Sequence, residues 1–209
     1  MLYKETVDPA TLELLIQIQQ KPYLNGFYLV GGTALALKMG HRTSIDIDLF
    51  SNFNFDAGQM ADNLSADFPF NLFFSANNTI KGSISSVQID IIAHRYPLIC
   101  EPIIIEGISM LSVEDIVAMK LNAISVSGQR VKDFIDLFYL LDVYSVAEMM
   151  GFYKKKYSQY NEVNVLKSLT WFEDVDLSDW PPLLKSPKVE WGTVKKKLIK
   201  ATNIYLKQI

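Results

Sequence analysis

Two glycines and two aspartates constrain this chain more than anything else in it. Gly31-Gly32-Thr33 closes the short apolar run Phe27-Tyr28-Leu29-Val30, and twelve residues separate Thr33 from the start of Asp46-Ile47-Asp48. The alternation of Ile45, Ile47 and Leu49 with Asp46 and Asp48 predicts a strand over residues 45–50 with both carboxylates on one face. Like charges placed together repel, which points to a cation between them. The glycines let the backbone approach a ligand closely, and the helix expected over residues 33–39, closed by Gly40, presents free N–H groups to an anion. An anion site beside a divalent-metal site is the equipment of phosphoryl or nucleotidyl transfer.

Around this centre the chain reads as a mixed α/β half followed by a helical half. Asp8-Pro9 caps a helix that Lys21-Pro22 stops. A helix is expected over residues 56–67, and strands over 27–30, 70–74, 83–93 and 102–106, with a turn at Asn77-Asn78. Ser112, with Asp115 three residues on, matches a capping box opening a helix to about residue 125. Further helices are expected over 129–143, 146–157, 162–169 and from Thr193 onward. The stretch 173–188 carries clustered acids and three prolines, and reads as irregular.

A third carboxylate, Asp90, lies in Val87-Gln88-Ile89-Asp90-Ile91-Ile92. Beside the Asp-x-Asp strand it completes a three-carboxylate metal site; otherwise it is a strand-end acid facing solvent. Thr33 either holds the terminal phosphates of a nucleotide or simply caps its helix. His41 and Arg42 either contact a triphosphate or are solvated loop cations.

The string GGTALALKMGHRTSIDIDLF resembles the signature of the DNA polymerase β-type nucleotidyltransferase superfamily. Within that superfamily it is similar to the AbiEii/AbiGii-type proteins, the toxin half of certain bacterial abortive-infection and toxin–antitoxin systems. The resemblance runs to about residue 141, where EDIVAMKLNAI and QRVKDFIDLFYLL look like the branch's downstream motifs. It implies a polymerase-β-like core, a small mixed β-sheet flanked by helices over residues 1–110, with a helical region over 111–209 packed on it. It also implies a nucleotidyltransferase that joins a nucleoside monophosphate from a nucleoside triphosphate to an acceptor hydroxyl and releases pyrophosphate. Asp46, Asp48 and Asp90 would hold magnesium, with manganese as the alternative. Gly31, Gly32, Thr33, Arg42, Lys120 and Asp136 would bind nucleotide, and Lys120 and Asp133 would join the three acids in catalysis. The implied acceptor is RNA, transfer RNA first, and a separately encoded antitoxin would be the partner. From spacing alone, Arg130–Asp133 and Lys132–Asp136 are ordinary surface helix pairs, each worth ~0.2–0.5 kcal/mol.

Composition narrows the alternatives. The chain has 209 residues, 49% of them hydrophobic and 21% charged, enough to bury a substantial core. Its formal net charge of −3 does not advertise nucleic-acid binding, which leaves Lys154-Lys155-Lys156 and Lys195-Lys196-Lys197 as local basic runs or as solvated helix faces. One cysteine, Cys100, excludes an internal disulfide. No secretory leader is evident and no apolar run approaches the ~18 residues of a membrane span, so a cytoplasmic protein without membrane contact is expected. Two other readings remain: a transferase acting on a small-molecule or protein hydroxyl, and a nucleotide-binding module without catalysis.

Overall fold

A computed structural model describes residues 1–159 and 161–208; the last residue of the expected final helix, Ile209, lies outside them. The chain forms two compact units, one from Met1–Pro97 with Glu101–Leu111, the other from Leu98–Cys100 with residues from Ser112 onward.

The first unit is built on a sheet of seven strands among the described residues. They are β1 (Tyr28–Leu29), β2 (Ile47–Ser51), β3 (Phe70–Ala76), β4 (Thr79–Ile84), β5 (Val87–Ala93), β6 (Ile103–Ile105) and β7 (Ile108–Met110), in spatial order β3-β4-β5-β2-β1-β7-β6. The β2–β5 and β1–β7 pairs are parallel and the rest antiparallel, so the sheet is mixed as expected. Ile47, Leu49, Ile80, Ile84, Ile89 and Ile91 are buried on one face, while Asp48, Asp90 and Lys81 keep partial exposure. Three α-helices belong to this unit: α1 (Pro9–Gln19), α2 (Gly31–Met39) and α3 (Ala57–Asp67). Asp8 caps α1 by accepting from the Ala10 N–H at 2.9 Å, and Asp56 caps α3 by accepting from the Gln59 N–H at 2.9 Å. Ala34 to Leu37 are all buried, so α2 lies inside the unit, not on its surface.

Several expected strands shift. Residues 83–93 are not one strand: Ser85 and Ser86, both at positive φ (47° and 71°), turn the chain between β4 and β5. Such a turn is usually written Asn-Gly or Asp-Gly, so the two serines gave no hairpin signal. Glu106-Gly107 makes a second positive-φ turn and adds β7, which was not expected. The Asp-x-Asp strand starts at Ile47 instead of Ile45, because its ladder with β5 begins at Ile47↔Ile89. Just upstream, the Thr33 hydroxyl donates to the Asp46 carbonyl, which satisfies that group outside the sheet, and Ile45 is 63% exposed.

The second unit is helical: α4 (Val113–Val126), α5 (Val131–Leu140), α6 (Val146–Lys156), α7 (Glu162–Ser168) and α8 (Trp191–Leu206). α6 begins with a capping box between Ser145 and Glu148. The irregular stretch after α7 is tied to α5 by polar and aromatic contacts. The Asp176 N–H donates to the Gln129 carbonyl at 2.9 Å, Lys132 pairs with Asp179 at 2.6 Å, and Phe134 packs edge-on against Phe172 and Trp191 at 5.6 and 5.8 Å. α8 begins at Trp191, two residues before the expected start.

Candidate nucleotide and metal site

The glycine pair is the first turn of α2 itself. Gly31 sits at φ +69°, a conformation other residues rarely adopt, and a Cβ there would overlap Asp48 Oδ2 and stand 3.1 Å from its Cγ. The Asp48 carboxylate therefore lies directly against the glycine backbone. A Cβ on Gly32 would fall 2.5 Å from Arg42 Nη2 and 3.2 Å from Ser44 Oγ. The turn is thus flanked by a carboxylate at one glycine and a guanidinium at the next.

Thr33 is buried, and its hydroxyl lies 2.9 Å from Ser44 Oγ as well as bonding the Asp46 carbonyl. It does not cap α2 with its side chain, and Val30, the N-cap residue, supplies no side-chain hydrogen bond. Arg42 and His41 are 2% and 0% exposed, so neither is the solvated loop cation that was the alternative. Arg42 Nη1 donates to the Thr43 carbonyl at 2.9 Å, which fixes the guanidinium beside Gly32.

Asp48 and Asp90 are register partners on the parallel strands β2 and β5, so their side chains share one face of the sheet. Lys81 is the register partner of Asp90 on β4, and its ammonium forms an ion pair with Asp90 Oδ2. The face carries a row of Asp48, Asp90 and Lys81. Among the described residues no three His, Cys, Asp or Glu side chains gather closely enough to hold a metal ion. Asp46 and Asp48 nonetheless suit magnesium, which is held by one or two carboxylates together with substrate phosphates. Their oxygens are hard donors, and Asp48 is held directly against Gly31 at the start of α2.

In the helical unit, Lys120 Nζ lies 2.6 Å from Asp133 Oδ1 and 2.7 Å from Asp136 Oδ2, with side-chain exposures of 8%, 5% and 0%. The two aspartates do share a helix face, but it is turned inward. The expected surface pairs are thereby corrected: Asp133 and Asp136 face Lys120, and Lys132 reaches Asp179. Asp115, read as a helix-start residue, accepts hydrogen bonds from the Ile99 and Cys100 N–H groups, from the Ser112 hydroxyl at 2.7 Å and from Lys156 at 2.6 Å. That fixes residues 98–100 in this unit. It also breaks up the first basic run: Lys156 is buried, Lys154 pairs with Glu162 at 3.0 Å, and Lys155 is exposed. In the second run, Lys197 pairs with Asp142 at 2.6 Å and lies over the Phe138 ring.

Lys81 is the residue that sequence reasoning missed, and Lys156 was read only as part of a basic run. Lys81 sits between Ile80 and Gly82, and the β-branched run of β4 was its only signal.

The fold and this site define a nucleotidyltransferase. A family model described as nucleotidyl transferase AbiEii toxin, type IV toxin–antitoxin system, matches residues 13–72 and 70–201. The chain belongs to the AbiEii nucleotidyl transferase toxin family, and membership implies a nucleotide substrate and a cognate antitoxin. An uncharacterized protein of Aquifex aeolicus (strain VF5) is 31% identical over 168 residues, covering 78% of this chain and 81% of its own length. The crystal structure of JHP933 from Helicobacter pylori aligns with a TM-score of 0.56 at 16% identity, over 97% of this chain and 94% of that one. MenT4, a nucleotidyltransferase toxin from Mycobacterium tuberculosis H37Rv, aligns with a TM-score of 0.56 at 13% identity, over 92% and 82%. At such identities the structural likenesses establish the fold. Among the described residues no helix is long and apolar enough to cross a membrane.

Proposed function

We propose that the glycine turn and the Asp46–Asp48 segment transfer a nucleoside monophosphate from a nucleoside triphosphate to an acceptor hydroxyl, releasing pyrophosphate. The observation that carries this is the packing of Asp48 against Gly31, with Asp90 in register beside it. Gly32 and Thr33, in the first turn of α2, present N–H groups to the triphosphate. Arg42, beside Gly32, adds a fixed positive charge at the same corner. Asp46 and Asp48 would hold magnesium. When bound, the ion neutralises phosphate charge and polarises the phosphorus toward attack. Asp90 accepts a hydrogen bond from the attacking hydroxyl and orients it.

The likeness of EDIVAMKLNAI and QRVKDFIDLFYLL to the family's motifs supports a role for Lys120 and Asp133 in catalysis and for Lys120 and Asp136 in nucleotide binding. Two carboxylates on one ammonium leave the cluster net negative, so Lys120 is a held group and not a mobile phosphate hook. RNA, transfer RNA first, is the acceptor that the family resemblance supports; growth inhibition in the cytoplasm, during abortive infection or otherwise, would follow.

The test is transfer from each α-labelled nucleoside triphosphate, with magnesium, to total bacterial RNA and to the protein itself. Magnesium-dependent label in RNA, absent with Asp46→Ala/Asp48→Ala, is the expected result. Label only in protein would replace RNA by a protein hydroxyl. Magnesium-independent nucleotide binding that survives the double substitution, without transfer, would mark a binding module.

A further inference from the structure

We propose that Lys81 is the resident cation of Asp90, in the role a second metal ion would fill, so that the site takes one divalent ion and Asp90 is not a metal ligand. This rests on the metal-dependent reading above. Asp48, Asp90 and Lys81 stand abreast on β2, β5 and β4, each the register partner of the next. Two carboxylates opposite each other across a strand pair are destabilising, and a cation beside one of them relieves this. The Lys81 ammonium meets that need from within the sheet and engages Asp90 Oδ2.

A divalent ion on Asp90 would have to displace this ammonium or sit beside it, cation against cation. The failure of any three acids to gather among the described residues agrees: Asp90 is turned to Lys81 and does not converge with Asp46 and Asp48. An isolated cross-strand lysine–aspartate pair would be only a weak surface contact. Here the aspartate lies between a second carboxylate and the lysine, and that placement gives the pair a consequence for ligand charge. Asp90 Oδ1 remains available to accept from a hydroxyl, so Lys81 is a positioning residue that directs Asp90 toward the acceptor instead of the metal.

The experiment counts manganese ions bound to the full chain, by electron paramagnetic resonance of free Mn2+ during titration. Wild type and Lys81→Arg are expected to bind one ion. Lys81→Met should bind two, the second at least about tenfold tighter than any second site in wild type. Lys81→Met/Asp90→Asn should return to one, and Asp46→Ala/Asp48→Ala should lose the first. Two ions on wild type would overturn the role of Lys81 while leaving the metal reading standing. One ion on Lys81→Met, with circular dichroism showing a folded chain, would also overturn it. No ion on any folded chain would overturn both.

Discussion

The two units use the same pair of groups, carboxylate and ammonium, in opposite ways. On the sheet face, Lys81 and Asp90 keep side-chain exposures of 45% and 26%. In the helical unit, Lys156 and Asp115 keep 1% and 0%. An exposed pair contributes about 0–1 kcal/mol to stability and stays in contact with solvent. A buried pair has already been stripped of water, and losing one member leaves an uncompensated charge in a low-dielectric interior. Burial therefore separates Lys81 and Asp90, which stay at the surface, from Lys156 and Asp115, which fix the backbone.

The largest test of that division lies at the sheet. Asp46→Ala/Asp48→Ala removes the groups proposed to hold magnesium, and metal stabilisation of transferring phosphate is worth several kcal/mol, so transfer should fall by about a thousandfold or more. Stability, followed by urea denaturation, should change by about 1 kcal/mol or less, as for other partly exposed sites. A collapse of the fold would erase the distinction between the units. The mirror experiment is Asp115→Ala or Lys156→Met, each expected to cost about 3–5 kcal/mol. Asp115→Leu/Lys156→Met should recover only part of this loss, because the Ile99 and Cys100 N–H groups would still lack their acceptor. Full recovery would show that the ion pair alone, and not the backbone it holds, matters.

How far the sequence foretold this arrangement differs between the units for physical reasons. The glycine turn, the Asp-x-Asp alternation and the caps at Asp8 and Ser112 are local patterns, and each lies within a residue or two of its expected place. The capping potential of Asp8 needs only the N–H of Ala10 two residues away. Pairings set by tertiary structure were not legible. Asp133 and Asp136 share a face of α5 that could support Lys120, but spacing alone favours surface pairs and nothing local says that this face turns inward. Lys156 ends a run of three lysines that looks solvated, yet its partner lies 41 residues away. Lys81 meets Asp90 only because Ser85 and Ser86 turn the chain, and serine carries a weak turn signal.

A smaller effect would show where Lys120 and its partners fall in the comparison. Asp136→Asn keeps the shape and leaves Lys120 paired with Asp133, so the loss is one charge-assisted contact, about 1.5–3 kcal/mol. If Asp136 also serves nucleotide binding, KM for the triphosphate should rise with kcat little changed, the signature of a lost ground-state contact. An unchanged KM beside the expected loss of stability would place this cluster with Lys156 and Asp115 as purely structural.

The smallest effect concerns an exposed charge in the helical unit, which should behave like the sheet's charges and unlike its buried neighbours. Glu148 is fully exposed, and its Oε2 accepts from the Ser145 N–H at 2.7 Å and from the Ser145 hydroxyl at 2.7 Å. The backbone N–H first, and then the hydroxyl, hold its carboxyl below the usual glutamate range. A lowered carboxyl contributes stability that is present above its unfolded value of about 4.3 and is lost as pH falls through the lower folded value. Glu148→Gln has no such ionisation. Between about pH 5 and pH 2 its apparent thermal midpoint should fall less steeply than that of wild type. At neutral pH the Ser145 N–H should exchange faster in the variant, because a neutral amide is a weaker acceptor than a carboxylate. The effect should remain local to the start of α6, since no buried charge depends on it. Equal acid slopes in the two chains would mean that the capping box is not held by charge, and exposed and buried acids of the helical unit would no longer divide by burial.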